Sequence, residues 1–294
     1  MLPFYDLIIG LCSHKSAKHT LNLMESANNI EGDILFVVTT SVDEDVKQLT
    51  AEVSRIKKDL VVCKTSRNSR YFCNNWAFIG SLNNGIQSKF FGTMDDDILF
   101  MDGHDFIDRL YKADDIGFSV LGFWSSSHGY PGWGVQHENK EYRDGLIYVD
   151  GHNMFTHFTD NILYGLCDSW GTGNVSYVEI EYCTRMKHFT QKPILADASR
   201  LRLYHIFRKD EELNDLRKVG ASFSDMNNGI NLFREKYGIE VNPLNIEYKW
   251  QEAVDAMNSQ PDKMEHHVLY DGMWNNWSAI YDKFSKEVAC VYQK

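Results

Sequence analysis

The chain has 294 residues, 43% of them hydrophobic and 24% charged, a globular composition that excludes a disordered protein. Its 30 Lys and Arg against 41 Asp and Glu give a net charge of −11, which disfavours nucleic-acid binding through the overall field. The six cysteines are scattered without a Cys-x-x-Cys pair, so we expect neither a zinc site nor a disulfide framework.

Nothing in the sequence predicts export or a transmembrane segment. The longest apolar runs fall far short of the roughly 20 residues that span a bilayer. The first residues lack the charged start and apolar core of a secretory signal. Together with the cysteine usage, these features predict a cytoplasmic protein, in the host cytoplasm if the source is viral.

Strands and helices alternate through the first third of the chain. Apolar runs predict buried strands over 7–12, 34–38 and 60–63, and the chain reaches Met94 at a fourth strand or its end. Helical patterns separate them, over 16–28, from the capping box Ser41–Glu44 to Ile56, and over 75–82. The alternation predicts an α/β protein with a Rossmann-type, mostly parallel sheet flanked by helices. Its ligand crevice should lie beyond the carboxyl ends of the strands, around loops 10–15, 39–43, 64–70 and 94–98.

The rest of the chain is less regular. Residues 99–200 are rich in Gly, His, Trp and Ser, and helical patterns return from about residue 210. We therefore predict one integrated domain over 1–209 and a helical C-terminal extension over 210–294 packed on it.

The sharpest chemical feature is the run of three carboxylates Asp95, Asp96 and Asp97, which follows the fourth strand. Adjacent like charges repel, and a divalent hard cation such as Mn²⁺ or Mg²⁺ resolves the conflict because carboxylate oxygens are its natural ligands. Asp95 and Asp97 point the same way in an extended chain, so both can reach one ion. The alternative is a solvated acidic turn.

The order of these segments resembles a known family. Arg70-Tyr-Phe-Cys-Asn-Asn-Trp-Ala77, a helix and then the Asp-x-Asp at 95–97 look like a nucleotide-sugar glycosyltransferase of the GT-A fold, family-two-like, over residues 5–205. The resemblance implies that Asp95 and Asp97 bind the metal, and that Asp95 and Asp96 contact the donor. It places Asn75 near the usual Arg-Asn pair and Thr39 beside the nucleotide.

A second segment matches further along the chain. Tyr177-Val-Glu-Ile-Glu-Tyr-Cys-Thr-Arg185 resembles the family's segment at a helix start, with Glu179 at the position of the catalytic base. Such a base takes the proton of the acceptor hydroxyl as the sugar carbon is attacked. The alternative is an ordinary acidic first turn, which the helix dipole favours.

Three further side chains complete the predicted site. The resemblance implies a late histidine as an additional metal ligand, and His205 lies in an alternating, strand-like stretch. The alternative is an ordinary strand histidine. Arg67 and Arg70 lie in a basic loop after the third strand, where a guanidinium can bind the donor diphosphate. The alternative for these arginines is a solvated surface.

These features predict a metal-dependent enzyme that transfers a hexosyl or pentosyl group from a nucleotide-diphosphate sugar, a UDP-sugar foremost, to a hydroxyl with inversion. The acceptor is a glycan, a protein or a hydroxymethylated base in DNA, the last as in a phage-type DNA glycosyltransferase. Two alternatives remain open, a nucleotidyltransferase of similar fold and a non-catalytic carbohydrate-binding protein.

Overall fold

The computed structural model of the protein describes residues 3–66, 70–101, 103–126, 132–134, 141–149, 153–166, 178–206, 286 and 288–294. The described part is an α/β structure, as predicted, with a nine-stranded sheet at its centre. Among the described residues, no helix combines the length and the apolar character needed to cross a lipid bilayer.

One half of the sheet is parallel and comes from the first third of the chain. Its strands are β1 (Phe4–Ser13), β2 (Ile34–Thr40), β3 (Asp59–Thr65) and β4 (Gln87–Met94), in the spatial order β3-β2-β1-β4. Helices α1 (Ala17–Ser26), α2 (Asp43–Ala51) and α3 (Arg70–Asn83) connect them, with a short 3₁₀ turn at Val53–Arg55. The carboxyl ends of all four strands meet at one edge, which confirms the predicted crevice edge.

The start of α2 differs from the predicted capping box. The helix begins at Asp43 with Val42 as its N-cap, and no side chain caps it there. Thr40, one residue before the predicted Ser41, makes a local turn ahead of the helix instead. Its hydroxyl accepts a hydrogen bond from the Val42 amide at 3.1 Å and donates to Asp45 at 3.2 Å. Asp45 is buried and also accepts from Ser13, so the polar anchor joins two strand ends.

The other half of the sheet is mixed and comes from the middle of the chain. It contains β6 (Val120–Phe123), β8 (Tyr142–Arg143), β10 (Asn153–His157) and β11 (Ile194–Asp197), in the order β4-β10-β6-β11-β8. Two small ribbons lie outside it, β5 (Ile98–Phe100) with β12 (Leu203–His205), and β7 (Gly132–Gly134) with β9 (Leu146–Val149). Helices α4 (Phe106–Ile116), α5 (Phe158–Tyr164) and α6 (Val178–Thr190) complete the described structure.

Aromatic side chains fill the core between the sheet and its helices. Phe106 packs on Phe123 with ring centroids 4.3 Å apart, and Phe123 meets Phe155 edge to face at 5.3 Å. Opposite Phe155, Gly92 of β4 leaves room for the ring, because a Cβ there would lie 2.5 Å from a ring carbon. Many of the aromatic side chains therefore pack in the core between the sheet and its helices.

The last described segment is a strand, β13 (Val288–Gln293), which pairs antiparallel with β3 and forms the outer edge of the main sheet. The predicted helical extension is wrong for these six residues, because they complete the sheet. Residues 210–285 lie outside the described residues, and the division of the chain at 209 stays a prediction.

Candidate functional site

Three potential metal ligands meet at the carboxyl edge of the central sheet. Asp95 and Asp97 follow β4 directly, and their carboxylates lie with the imidazole of His205 within 4.8 Å of one another. His205 Nε2 is 3.4 Å from Asp97 Oδ1. Asp97 is largely buried and His205 partly so. The structure thus brings together the three residues that the sequence analysis singled out as metal ligands.

His205 reaches this cluster because β12 pairs with β5. In the antiparallel register His205 lies opposite Ile98, the residue after Asp97. The amide of Ile206 donates to the carbonyl of Asp97 at 2.8 Å, and the amide of His205 donates to Ser126 Oγ at 3.0 Å. Backbone hydrogen bonds therefore fix the separation between the acidic run and the histidine.

The middle carboxylate of the run has a different environment. Asp96 is buried, and it accepts a hydrogen bond from Ser16 Oγ at the start of α1 and a longer one, 3.5 Å, from Thr20. A carboxylate at a helix N-terminus interacts favourably with the helix dipole. Asp96 thus anchors the acidic run to α1, and its contact with a donor stays a prediction.

A buried charge network supports the segment that carries His205. The guanidinium of Arg109, 1% exposed, binds the Asp197 carboxylate with two hydrogen bonds, of 2.7 and 3.1 Å. Arg202 pairs with Asp105, and its carbonyl accepts from the Met101 amide at 2.9 Å. Burial raises the pKa of Asp105, but the hydrogen bonds and charges of Arg202 and Arg200 together outweigh it, and the net pKa is lowered.

The predicted nucleotide-binding residue Thr39 lies at the carboxyl end of β2. Its side chain is fully buried, and its hydroxyl donates to the carbonyl of Leu11 at 3.1 Å. The described hydrogen bond of Thr39 therefore joins β1 to β2. A role in contacting the nucleotide stays a prediction.

Asn75 borders a small cavity that the sequence did not predict. The cavity, of about 10 Å³, lies between α3, β4, β10, α5 and α6, and its lining mixes apolar residues (Phe91, Met154, Leu166) with polar ones (Thr93, Thr156, Asn161, Tyr182). The Tyr182 hydroxyl donates to Asn161 at 2.5 Å, and Asn161 donates to Thr156 at 2.7 Å. No local motif in the sequence marks these residues, because they come from separate elements.

The predicted base Glu179 is the second residue of α6 and is half-buried. Further along that helix, Arg185 is fully buried and donates to the carbonyls of Tyr164 and Leu166, the latter at 3.0 Å. Arg185 therefore fixes α6 against the end of α5. Arg67 and the side chains of Arg70 and Glu181 lie outside the described residues, so their predicted roles stay predictions.

The donor set of the cluster fits a divalent metal ion. Two carboxylates and one imidazole, all within 4.8 Å of one another, match the oxygen and nitrogen ligands that Mn²⁺ accepts, and the carboxylates alone suit Mg²⁺. The position agrees with the general rule that open α/β sheets bind ligands beyond the carboxyl ends of their strands.

No protein-family model and no curated protein matches the sequence. Solved structures do match. TarS 1–349 from S. aureus in complex with UDP-GlcNAc superposes with a TM-score of 0.52 at 9% identity, over 97% of this chain and 92% of that one. The mannosyltransferase PcManGT from Pyrobaculum calidifontis in complex with GDP-Man and Mn²⁺ gives a TM-score of 0.50 at 9% identity, over 96% and 80%.

A longer TarS structure superposes with a TM-score of 0.50 at 11% identity over 95% of this chain. Only 54% of that TarS chain is covered, so the present chain spans about half its length. These likenesses define the fold: the chain has the α/β architecture of GT-A-type nucleotide-sugar glycosyltransferases, as its sequence motifs predicted.

Proposed function

We propose that the protein is a metal-dependent glycosyltransferase that uses a nucleotide-diphosphate sugar as its donor. The observation that carries the proposal is the Asp95–Asp97–His205 cluster at the carboxyl edge of a sheet with the GT-A architecture. Two similar structures support it through what they hold, UDP-GlcNAc in TarS 1–349 and GDP-Man with Mn²⁺ in PcManGT. We favour a UDP-sugar as the donor and a hexosyl or pentosyl group as the transferred group.

Each residue of the site has a defined task in this proposal. Asp95, Asp97 and His205 hold a divalent ion, Mn²⁺ or Mg²⁺, which supplies positive charge against the diphosphate leaving group. Asp96 keeps the acidic run in place through Ser16 and contacts the donor from there.

The remaining predicted residues bind the donor or move a proton. Arg67 and Arg70 donate hydrogen bonds to the donor phosphates, and Thr39 and Asn75 border the nucleotide. Glu179 accepts the proton of the acceptor hydroxyl, and direct attack of that oxygen on the anomeric carbon inverts its configuration. We propose a glycan, a protein or a hydroxymethylated DNA base as acceptor.

The proposal is tested by following release of the nucleoside diphosphate from a panel of nucleotide sugars, with Mn²⁺, with Mg²⁺ and with excess chelator. We expect turnover of one donor with the ion and loss of that turnover in chelator. Full turnover in excess chelator would contradict the proposed dependence on a metal ion. No turnover of any donor would contradict the proposal that the protein is a glycosyltransferase.

The variant Asp97→Ala connects this activity to the cluster. We expect turnover to fall by about 100-fold or more, the loss typical of one major charge-stabilising group. Binding of Mn²⁺, measured by calorimetry without a donor, should weaken in the same variant. The control is Asp108→Ala, which removes an exposed carboxylate of α4 and should leave both measurements unchanged.

A further inference from the structure

A row of sulfur and hydroxyl side chains crosses the sheet from β1 to β13, and its far end lies three strands from β1, the neighbour of β4. Cys12 of β1 lies beside Thr39 of β2, Thr39 beside Cys63 of β3, and Cys63 beside Cys290 of β13. Two of the three cysteines are thus direct neighbours, although they are 227 positions apart in sequence. No local sequence pattern reveals this pair, because only the pairing of β13 with β3 creates it.

The geometry of Cys63 and Cys290 suits a covalent link. Cys63 and Cys290 are register partners of the antiparallel pair, beside a bulge between Cys290 and Tyr292. Directly opposed residues of a regular antiparallel pair have Cα atoms about 4.5–5.5 Å apart, inside the range of roughly 4.4–6.8 Å that disulfides span. Their thiols are also joined by a hydrogen bond. Cys12 lies two strands from Cys63, a separation of about 10 Å, which is too far for a disulfide without movement of the backbone.

The two cysteines differ in their access to small molecules. Both residues border a cavity of about 380 Å³ between the sheet, α3 and β13, whose other lining residues include Trp76, Val61 and Val288. Cys290 is exposed, whereas Cys63 is only 3% exposed. A reagent therefore meets Cys290 first, and Cys63 lies next to the site of that first reaction.

Cys290 is also the more reactive thiol of the two. The hydrogen bond from Cys63 lowers the pKa of the Cys290 thiol to about 6, although partial burial opposes the shift. A thiol with that pKa is mostly thiolate at neutral pH, and the thiolate is the form that attacks disulfides.

We propose that Cys63 and Cys290 form a redox-active dithiol site that exchanges with small-molecule disulfides. In the first step the Cys290 thiolate attacks one sulfur of the reagent, breaks its S–S bond and releases one thiol. In the second step Cys63 loses its proton and attacks Cys290 Sγ, which releases the second thiol. Two cysteine thiols are oxidised to one disulfide, the reagent is reduced to two thiols, and the two cysteine protons end on them.

The cross-link has a mechanical consequence for the fold. It joins β13, the outer edge strand, to β3 and closes a loop of more than 200 residues. Closing so long a loop restricts the unfolded chain, so the oxidised protein should unfold at a higher temperature than the reduced one. For a chain of this size we expect a rise in Tm of about 5 °C or more.

The test uses the full chain and oxidised glutathione as the small-molecule disulfide. After quenching with acid, followed by alkylation with excess iodoacetamide in denaturant at mildly alkaline pH, peptide mapping should find Cys63 linked to Cys290, while Cys183 is recovered alkylated. The thermal transition of the same sample should rise and return to its starting value after dithiothreitol. Recovery of Cys63 in alkylated form, with Cys290 reduced or held as a stable glutathione adduct, would overturn the proposal.

Two variants separate this link from other thiol chemistry. Cys290→Ser should remove both the linked peptide and the dependence of Tm on the redox state, because Cys290 is exposed and its replacement leaves the core intact. Cys12→Ser should keep the Cys63–Cys290 link. A redox-dependent Tm that survives in Cys290→Ser would assign the effect to another pair and reject this one.

Discussion

Three chemically identical neighbours, Asp95, Asp96 and Asp97, have two different structural roles. Asp95 and Asp97 turn toward His205, whereas Asp96 is held by Ser16 of α1. Asp96 and Asp97 lie in a turn between β4 and β5, so the alternation of an extended chain is not the cause of this division. The sequence predicted which two carboxylates lie together, but it indicated neither the turn nor the anchoring of the third carboxylate to a helix.

The proposed role of Glu179 as the catalytic base is tested by removing the basicity of its side chain. Glu179→Gln keeps the size of the side chain and removes its basicity, so transfer to the acceptor should fall by roughly 100-fold. Donor binding and Tm should stay close to those of the unchanged protein, because the amide still fits the start of α6. Transfer is measured by product formation, and donor binding by calorimetry.

Glu44 offers a matched control for this change. It is an exposed glutamate and, like Glu179, the second residue of its helix. Glu44→Gln should leave transfer unchanged. Wild-type transfer by Glu179→Gln, or a product that keeps the donor's anomeric configuration, would return Glu179 to the role of an ordinary acid at a helix start.

At the scale of elements, the first three strands were predictable because each contains a continuous apolar run followed by a helical segment. The fourth strand has no such run and was predictable only as the segment between the helix over 75–82 and the acidic residues. The strands β6, β10 and β11 have only four or five residues, too few for their periodicity to stand out from loops. The alternation around His205 predicted β12, but its pairing with β5 joins positions about 100 residues apart. The local sequence pattern therefore could not predict that β5 is the partner strand of β12.

The buried pair of Arg109 and Asp197 leads to a prediction about stability, because Asp197 also lies 3.6 Å from Arg202, the residue before β12. Arg109→Met removes the charged partner that binds the buried Asp197 carboxylate with two hydrogen bonds, so unfolding should become easier by about 3–5 kcal/mol. The midpoint of urea denaturation, followed by circular dichroism, measures this loss.

Arg55 provides the comparison for that experiment. Arg55 makes two ion pairs, with Glu25 and Glu52, but unlike the buried Arg109 its side chain is one-third exposed. Solvent screens such pairs, and so Arg55→Met should move the urea midpoint far less than Arg109→Met does. Equal shifts for the two variants would show that the buried network has no special role in holding this part of the fold.

At the scale of the whole molecule, β10 connects the acidic edge of the sheet to its opposite edge. Asn153 begins the strand opposite Met94, and His157 ends it opposite Phe90. His157 contacts Asp114 there at 2.7 Å, beside the pair formed by Lys89 and Asp114. The sequence indicated neither this cluster nor the terminal strand β13, because both depend on which distant segments the sheet brings together.

The cluster at that opposite edge predicts how stability changes in acid. Burial raises the pKa of Asp114, but hydrogen bonds from Lys89 and His157 together outweigh it, so its folded-state pKa lies below the ordinary 3.8. A carboxyl whose pKa is depressed by folding stabilises the protein above its unfolded pKa, and this contribution is lost as pH falls through the folded pKa. Stability should therefore decline below about pH 4, and Asp114→Asn should flatten the decline.

Urea midpoints measured from pH 6 to pH 3 test this dependence. The control is Asp115→Asn, which changes the exposed neighbour on the same helix and should keep the acid decline of the unchanged protein. The midpoint of Asp114→Asn should already be lower at pH 6, because Lys89 and His157 lose their charged partner, and should approach the unchanged protein's midpoint as the pH falls. A constant difference between the two proteins across this range would mean that the Asp114 carboxyl has the same pKa in the folded and unfolded states.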